Sequence, residues 1–67
     1  MDIEIGTAAG DVYHYLAGNG PASVTALKKG TGHKDATVAM ALGWLAREGK
    51  VVRVTHGRST KWVIADA

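Results

Sequence analysis

Apolar positions recur at steps of three and four over roughly the first two-thirds of the chain and give way to β-branched runs in the last third. The helical step is clearest at Val38, Ala41, Leu42 and Leu45, a spacing that gathers side chains on one stripe of a helix. Gly49 then supplies the left-handed position that ends helices, and Arg47 puts a cation in the last turn, where the helix dipole favours it. Val51, Val52 and Val54 follow, and their branched Cβ atoms favour a pleated strand. The stretch ALGWLAREGKVVRV, residues 41–54, is therefore a helix joined through a glycine to a strand. The other segments read as packing for that joint.

Taken in order, Ile3 and Ile5 alternate with Asp2 and Glu4, which predicts a short strand or an arm lying on an apolar surface. Thr7 is the expected N-cap of a first helix of about three turns. Ala9, Val12, Tyr13 and Leu16 give that helix its stripe, and Gly18-Asn19-Gly20 ends it with residues that tolerate positive φ. Pro21 opens a short extended piece, since proline has no amide for a helix interior, and Val24 is its expected buried end. Thr25, with Ser23 as the alternative, caps a second helix of barely two turns. There Val24, Leu27 and Lys28 share a side, and Gly30 or Gly32 closes the run. A third helix begins near Lys34 or Asp35. Two β-prone runs, 50–55 and 59–64, flank His56-Gly57-Arg58, a hairpin signal, with Trp62 and Ile64 on one apolar face.

Composition narrows the class. Sixty-seven residues make one domain, 1–67, with a thin stability margin, because so short a chain buries only about 60% of its unfolded surface. Cysteine is absent, so neither a disulfide nor a thiolate zinc site can brace it. No stretch approaches a membrane span, and MDIEIG lacks the basic start of a signal peptide, so a cytoplasmic location is expected. The formal charge of +2 hides an asymmetry. Residues 1–20 hold Asp2, Glu4 and Asp11 with no Lys or Arg, whereas all eight Lys and Arg lie in 21–67 beside Asp35, Glu48 and Asp66. A basic C-terminal two-thirds can attract an anionic partner such as nucleic acid, and an ordinary solvated surface accounts for it as well.

The segments SVTALKKGTG, DATVAMALGWLAREGKV and RVTHGRSTKWVI together resemble the winged helix-turn-helix family over nearly the whole chain. ALGWLAREGK is similar to the signature of a small group of stand-alone prokaryotic winged helices of unassigned function. The resemblance implies an α+β fold of three helices with a short strand and a C-terminal two-stranded hairpin, the wing. It also implies that helix 3 enters the major groove, that helix 2 and its cap touch phosphate, and that the wing reaches a neighbouring groove or backbone. His33 departs from the pattern, since similar sequences commonly place an inward-packing leucine there. A partly buried histidine there loses some packing.

Base recognition needs Arg or Lys for guanine, Asn or Gln for adenine, and Ser or Thr more loosely. The outward positions of helix 3 are Ala36, Thr37, Ala39, Met40, Gly43, Trp44 and Arg47. Only Thr37 and Arg47 can hold anything polar, and Arg47 is far from the N-terminal turns that usually meet bases. Phosphate contacts are better supplied: Thr25, Lys28 and Lys29 on helix 2, Lys34 at the start of helix 3, and Lys50, Arg53, Arg58 and Lys61 on the wing. The expectation is weak, largely sequence-independent binding of double-stranded DNA in a transcription-associated role, set against the ordinary role of each lysine as a solvated surface group.

Ala36, Ala39, Met40, Gly43 and Trp44 also suggest a protein interface, in the simplest case a homodimer. Gly43 in mid-helix costs about 1 kcal/mol relative to alanine, which close approach by another backbone would offset. In the alternative, Trp44 folds under the wing or against the N-terminal arm of its own chain. A protein-interaction winged helix without nucleic-acid binding is the second functional reading. Catalysis is not expected. Asp11 and His14 are too few for a metal site, GTGHKD lacks the spacer and hydroxyl of a phosphate loop, and a chain this short has little room for a walled small-molecule pocket. No cofactor or small-molecule substrate is predicted.

Overall fold

The computed structural model describes residues 3–65, with side chains from Gly6 onward. Three helices, α1 (Ile3–Asn19), α2 (Val24–Thr31) and α3 (Asp35–Arg47), precede an antiparallel hairpin of β1 (Val51–His56) and β2 (Ser59–Ile64). This is the expected α+β winged-helix arrangement.

Helix α1 corrects the reading of the first residues. Backbone 3–5, expected as strand or arm, is helical, and Thr7 lies inside the 17-residue helix as an exposed residue rather than at its cap. Met1 and Asp2 lie outside the described residues, as does the packing of the Ile3 and Ile5 side chains. Ala8 and Ala9 carry the buried stripe of Val12 and Leu16 back a further turn, and α1 packs along α3. A helix already formed over Ala8–Leu16 propagates into residues 3–5 at little cost, one hydrogen bond per added residue, against a weak local strand preference. Gly20, at φ 81°, ends the helix and donates its amide to the Leu16 carbonyl at 2.9 Å, the single-bond left-handed cap.

The extended piece after Pro21 is one residue of strand. Ala22 exchanges both backbone hydrogen bonds with Trp62, at 3.1 and 2.8 Å, and so adds a third short rung beside β2. Ala22 is the buried residue here, whereas Val24 opens α2 half-buried. Ser23, not Thr25, is the α2 cap: its Oγ accepts the Ala26 amide at 3.1 Å. The cap position needs extended backbone, and the bridge to Trp62 places the extended segment immediately before Ser23. Gly32, at φ 76°, closes α2. Thr31 ties the turn together, donating its hydroxyl to the Leu27 carbonyl and accepting the His33 amide at 3.3 Å.

The joint between α3 and β1 is a Schellman cap. The Gly49 amide donates to Ala46 at 3.0 Å and the Lys50 amide to Leu45 at 2.9 Å, the paired pattern of that motif. Val38, Ala41, Leu42 and Leu45 are all buried, as their spacing predicted. β1 begins one residue later than expected and runs through His56, so that Gly57 and Arg58 form a two-residue turn. Gly57 has φ 58° and Arg58 does not have positive φ, the combination that favours a type II′ hairpin. Val51 is buried, and Trp62 and Ile64 pack on the same core as the helices. All residues of this core are apolar, and no polar or charged residue is buried among the described residues.

Candidate nucleic-acid interface

The expected phosphate contacts fall into two groups. The first surrounds the α2–α3 turn. Thr25 is exposed in the first turn of α2, Lys29 is exposed in its last, and Lys34 is exposed at the residue that precedes α3. Lys28 reaches across the turn, its Nζ 3.1 Å from Asp35 Oδ1. That contact shows how close the end of α2 lies to the start of α3, and it occupies Lys28 with a partner in its own chain. Both groups are well solvated, so the pair adds little to stability.

The second group is the wing, and the structure does not make it one surface. Paired residues on antiparallel strands share a face and successive residues alternate. Arg53 is opposite Trp62, on the face that turns towards the core, whereas Lys61 is opposite Val54 on the other face. Arg58 sits at the tip, as the second turn residue. Lys50 is exposed between α3 and β1, and Arg47 is exposed in the last turn of α3. A wing entering a groove therefore leads with Arg58 and presents one cation on each side.

Between the two groups lies the outward face of α3. Ala36, Ala39, Met40, Gly43 and Arg47 are exposed, and Met40, at 58%, is the most exposed large apolar side chain described. Thr37 and Trp44 do not belong to that face as expected. Both are half-buried at its margin, and Trp44 packs against the core of its own chain in a hollow of about 210 Å³ shared with Gly6, Ala9, Gly10, Tyr13 and His14 of α1. Trp44 is thus turned towards helix α1. The cause is geometric: residue 44 is one turn from Ala41, on the side of α3 that lies along α1. Nothing in the residue type distinguishes that placement from an outward one.

Two features escaped the linear reading. His33 is half-buried, with its Nε2 2.9 Å from Oδ2 of the exposed Asp11 on α1. In the sequence the spacing relates Asp11 only to His14, three residues away, since no local pattern reveals a partner 22 residues distant. The wing's second face carries Val52 and Val54, exposed at 46% and 37%, beside Val63. Among the described residues no three His, Asp or Glu side chains converge to hold a metal, and no helix is long and apolar enough to cross a membrane.

Comparison with known proteins agrees with this architecture. The uncharacterized protein MJ1608 of Methanocaldococcus jannaschii is 41% identical over 64 residues, which cover 91% of this chain and 87% of that protein. Among solved structures, a chain of HOP2, studied for its DNA recognition and protein interaction domains and its homologous DNA pairing properties, superimposes with a TM-score of 0.70 at 32% identity. The match spans 85% of this chain and 97% of the HOP2 chain. The family described as winged helix-turn-helix domain (DUF2582) matches residues 1–65, and the chain belongs to that family.

Proposed function

We propose that this domain binds double-stranded DNA, chiefly through the phosphate backbone. The observation that carries the reading is the placement of exposed cations on both flanks of α3. Lys29 and Lys34 stand at its N-terminal approach, Arg47 and Lys50 at its C-terminal end, and Arg58 at the wing tip. Among the described side chains only Lys28 is in an ion pair with a carboxylate among these cations. Thr25 and Lys28 border the same approach, and Arg53 and Lys61 flank the wing. The likeness to HOP2, a protein studied for DNA recognition, supports this reading, and a transcription-associated role in the cytoplasm is compatible with it. The outward face of α3 holds no amide and no cation until Arg47, so polar base readout contributes little.

The test is a salt titration of binding to a random-sequence duplex. Each neutralised phosphate contributes about −0.9 to the slope of log K against log salt. Four or five contacts predict a slope of roughly −4, and Lys34→Ala or Arg58→Ala each make it shallower by about one contact. No binding at low salt would refute the proposal.

A second reading, a homodimer or other protein partner on α3, is favoured by Gly43. A Cβ added there meets nothing within 4 Å, so the domain's own packing does not require the glycine. Against it, Trp44 is spent on its own core, and the face that remains offers Met40 as its one large apolar side chain, with Arg47 at its far end. A stable interface buries about 800 Å² per partner and relies on aromatic or arginine anchors.

A further inference from the structure

The exposed face of α3 is apolar in its first two turns and has cations at both ends. We propose that this face reads the methyl groups of pyrimidines in the major groove, so that the domain prefers duplexes rich in thymine or in C5-methylated cytosine. The inference rests on the duplex-binding reading above and names the class of DNA that it favours.

The argument starts from desolvation. A helix laid in the major groove strips water from base edges, and a donor or acceptor left without a partner costs free energy. Polar recognition helices replace the lost water with side-chain hydrogen bonds. Ala36, Ala39, Met40 and Gly43 cannot, and Thr37 is drawn to the margin of the face. Such a face is least penalised where the floor of the groove is itself apolar, and in DNA that means the C5-methyl group, which thymine carries and cytosine does not.

Size and charge agree with that occupant. At about 1.5 Å rise per residue, Ala36 to Gly43 spans roughly 10 Å, the length of about three base-pair steps. Ala36, Ala39 and Gly43 keep the helix surface low, and Met40 stands above it at 58% exposure. Met40 lies in the second turn of the helix, near the end that usually meets bases. Its unbranched thioether adapts to an irregular apolar surface. No acid lies among positions 36, 39, 40, 43 and 47; Asp35, before the face, is paired with Lys28 at 3.1 Å and Glu48 lies beyond Arg47, while Lys34 precedes the face and Arg47 closes it. An apolar strip between cations is complementary to a methyl-lined floor between phosphate ridges.

The experiment compares matched duplexes by fluorescence anisotropy at one low salt concentration, using the full chain. One duplex is alternating dA·dT, the second replaces every thymidine by deoxyuridine, and a dG·dC pair is made with and without C5-methylation. Each contacted methyl should change affinity about fourfold, so one or two contacts give a preference of roughly 4- to 15-fold for thymine over uracil. C5-methylation of cytosine should shift affinity in the same direction. Met40→Ala, at an exposed position, should reduce the thymine preference while leaving the salt slope unchanged. That last readout separates direct contact from any change in duplex stiffness caused by losing the methyls.

Equal binding to the thymine and uracil duplexes overturns the inference and leaves duplex binding intact. A preference that Met40→Ala does not alter also overturns it. Failure to bind any of the four duplexes overturns the parent reading. If the chain sediments as a dimer that Gly43→Arg dissociates while thymine and uracil duplexes bind alike, the face belongs to a second copy and the inference falls.

Discussion

Gly30 provides a sharp test of the packing. In the linear sequence it is one of two glycines that could end α2, yet Gly32 does so, with φ 76°, and Gly30 lies inside the helix at ordinary φ. An alanine at such a site normally stabilises a protein by about 0.5–1 kcal/mol, because glycine loses more backbone entropy on folding. Here a Cβ would stand 2.8 Å from Tyr15 Cζ and closer still to Cδ2 and Cε2. Tyr15 is half-buried against the core, so its ring must give up packing to move. Overfilling of this kind costs about 1–3 kcal/mol. Gly10, on α1, is the matched control, since a Cβ there meets nothing within 4 Å. The helix-propensity gain is common to both substitutions, so the difference between Gly30→Ala and Gly10→Ala isolates the contact with Tyr15. Urea unfolding should place Gly30→Ala about 1–3 kcal/mol below Gly10→Ala, and melting points should differ by about 4–8 °C for each kcal/mol. In a Tyr15→Ala background the gap should close. If Gly30→Ala stabilises as much as Gly10→Ala, the close approach of the Tyr15 ring on α1 to Gly30 on α2 is wrong.

Other outcomes follow from single contacts. Ser23→Ala should cost about 1 kcal/mol in urea unfolding, as loss of a side-chain cap does, whereas Thr25→Ala, at an exposed helical position, should stay within about 0.5 kcal/mol. Lys28→Ala breaks an exposed pair and should change stability by less than about 1 kcal/mol, and its effect on DNA affinity should be smaller than that of Lys34→Ala, because Asp35 already engages Lys28. Gly43→Ala should stabilise a monomer by about 1 kcal/mol, independently of protein concentration. A loss of stability that grows with dilution would show instead that another chain packs closely on α3.

Much of the fold was legible because it is written in local chemistry. The α3 stripe, the glycine stop at Gly49 and the turn at Gly57 each depend on residues within a few positions of one another. The candidate site was legible as an inventory of cations, but their arrangement was not. Arg53 and Lys61 look alike in the sequence, and only strand register puts them on opposite faces of the wing. Trp44 looked like part of an outward surface because helical spacing identifies the buried stripe and leaves residues at its margin undecided.

The sequence by itself determined the order of elements, the buried stripe of α3, the glycine stop at Gly49 and the glycine turn at Gly57, since helix periodicity and positive φ are properties of the nearest residues. Tertiary structure decided where α1 begins, which hydroxyl caps α2, that Trp44 leans on α1 and that His33 meets Asp11. Each of these depends on a segment distant in the chain. The Ile3–Ile5 backbone continues the helix that Ala8 and Ala9 anchor in the core, and Ser23 is the cap because Ala22 is held in extended conformation by Trp62, some forty residues away. Burial against a distant neighbour outweighs the small differences in local preference that would otherwise set those boundaries.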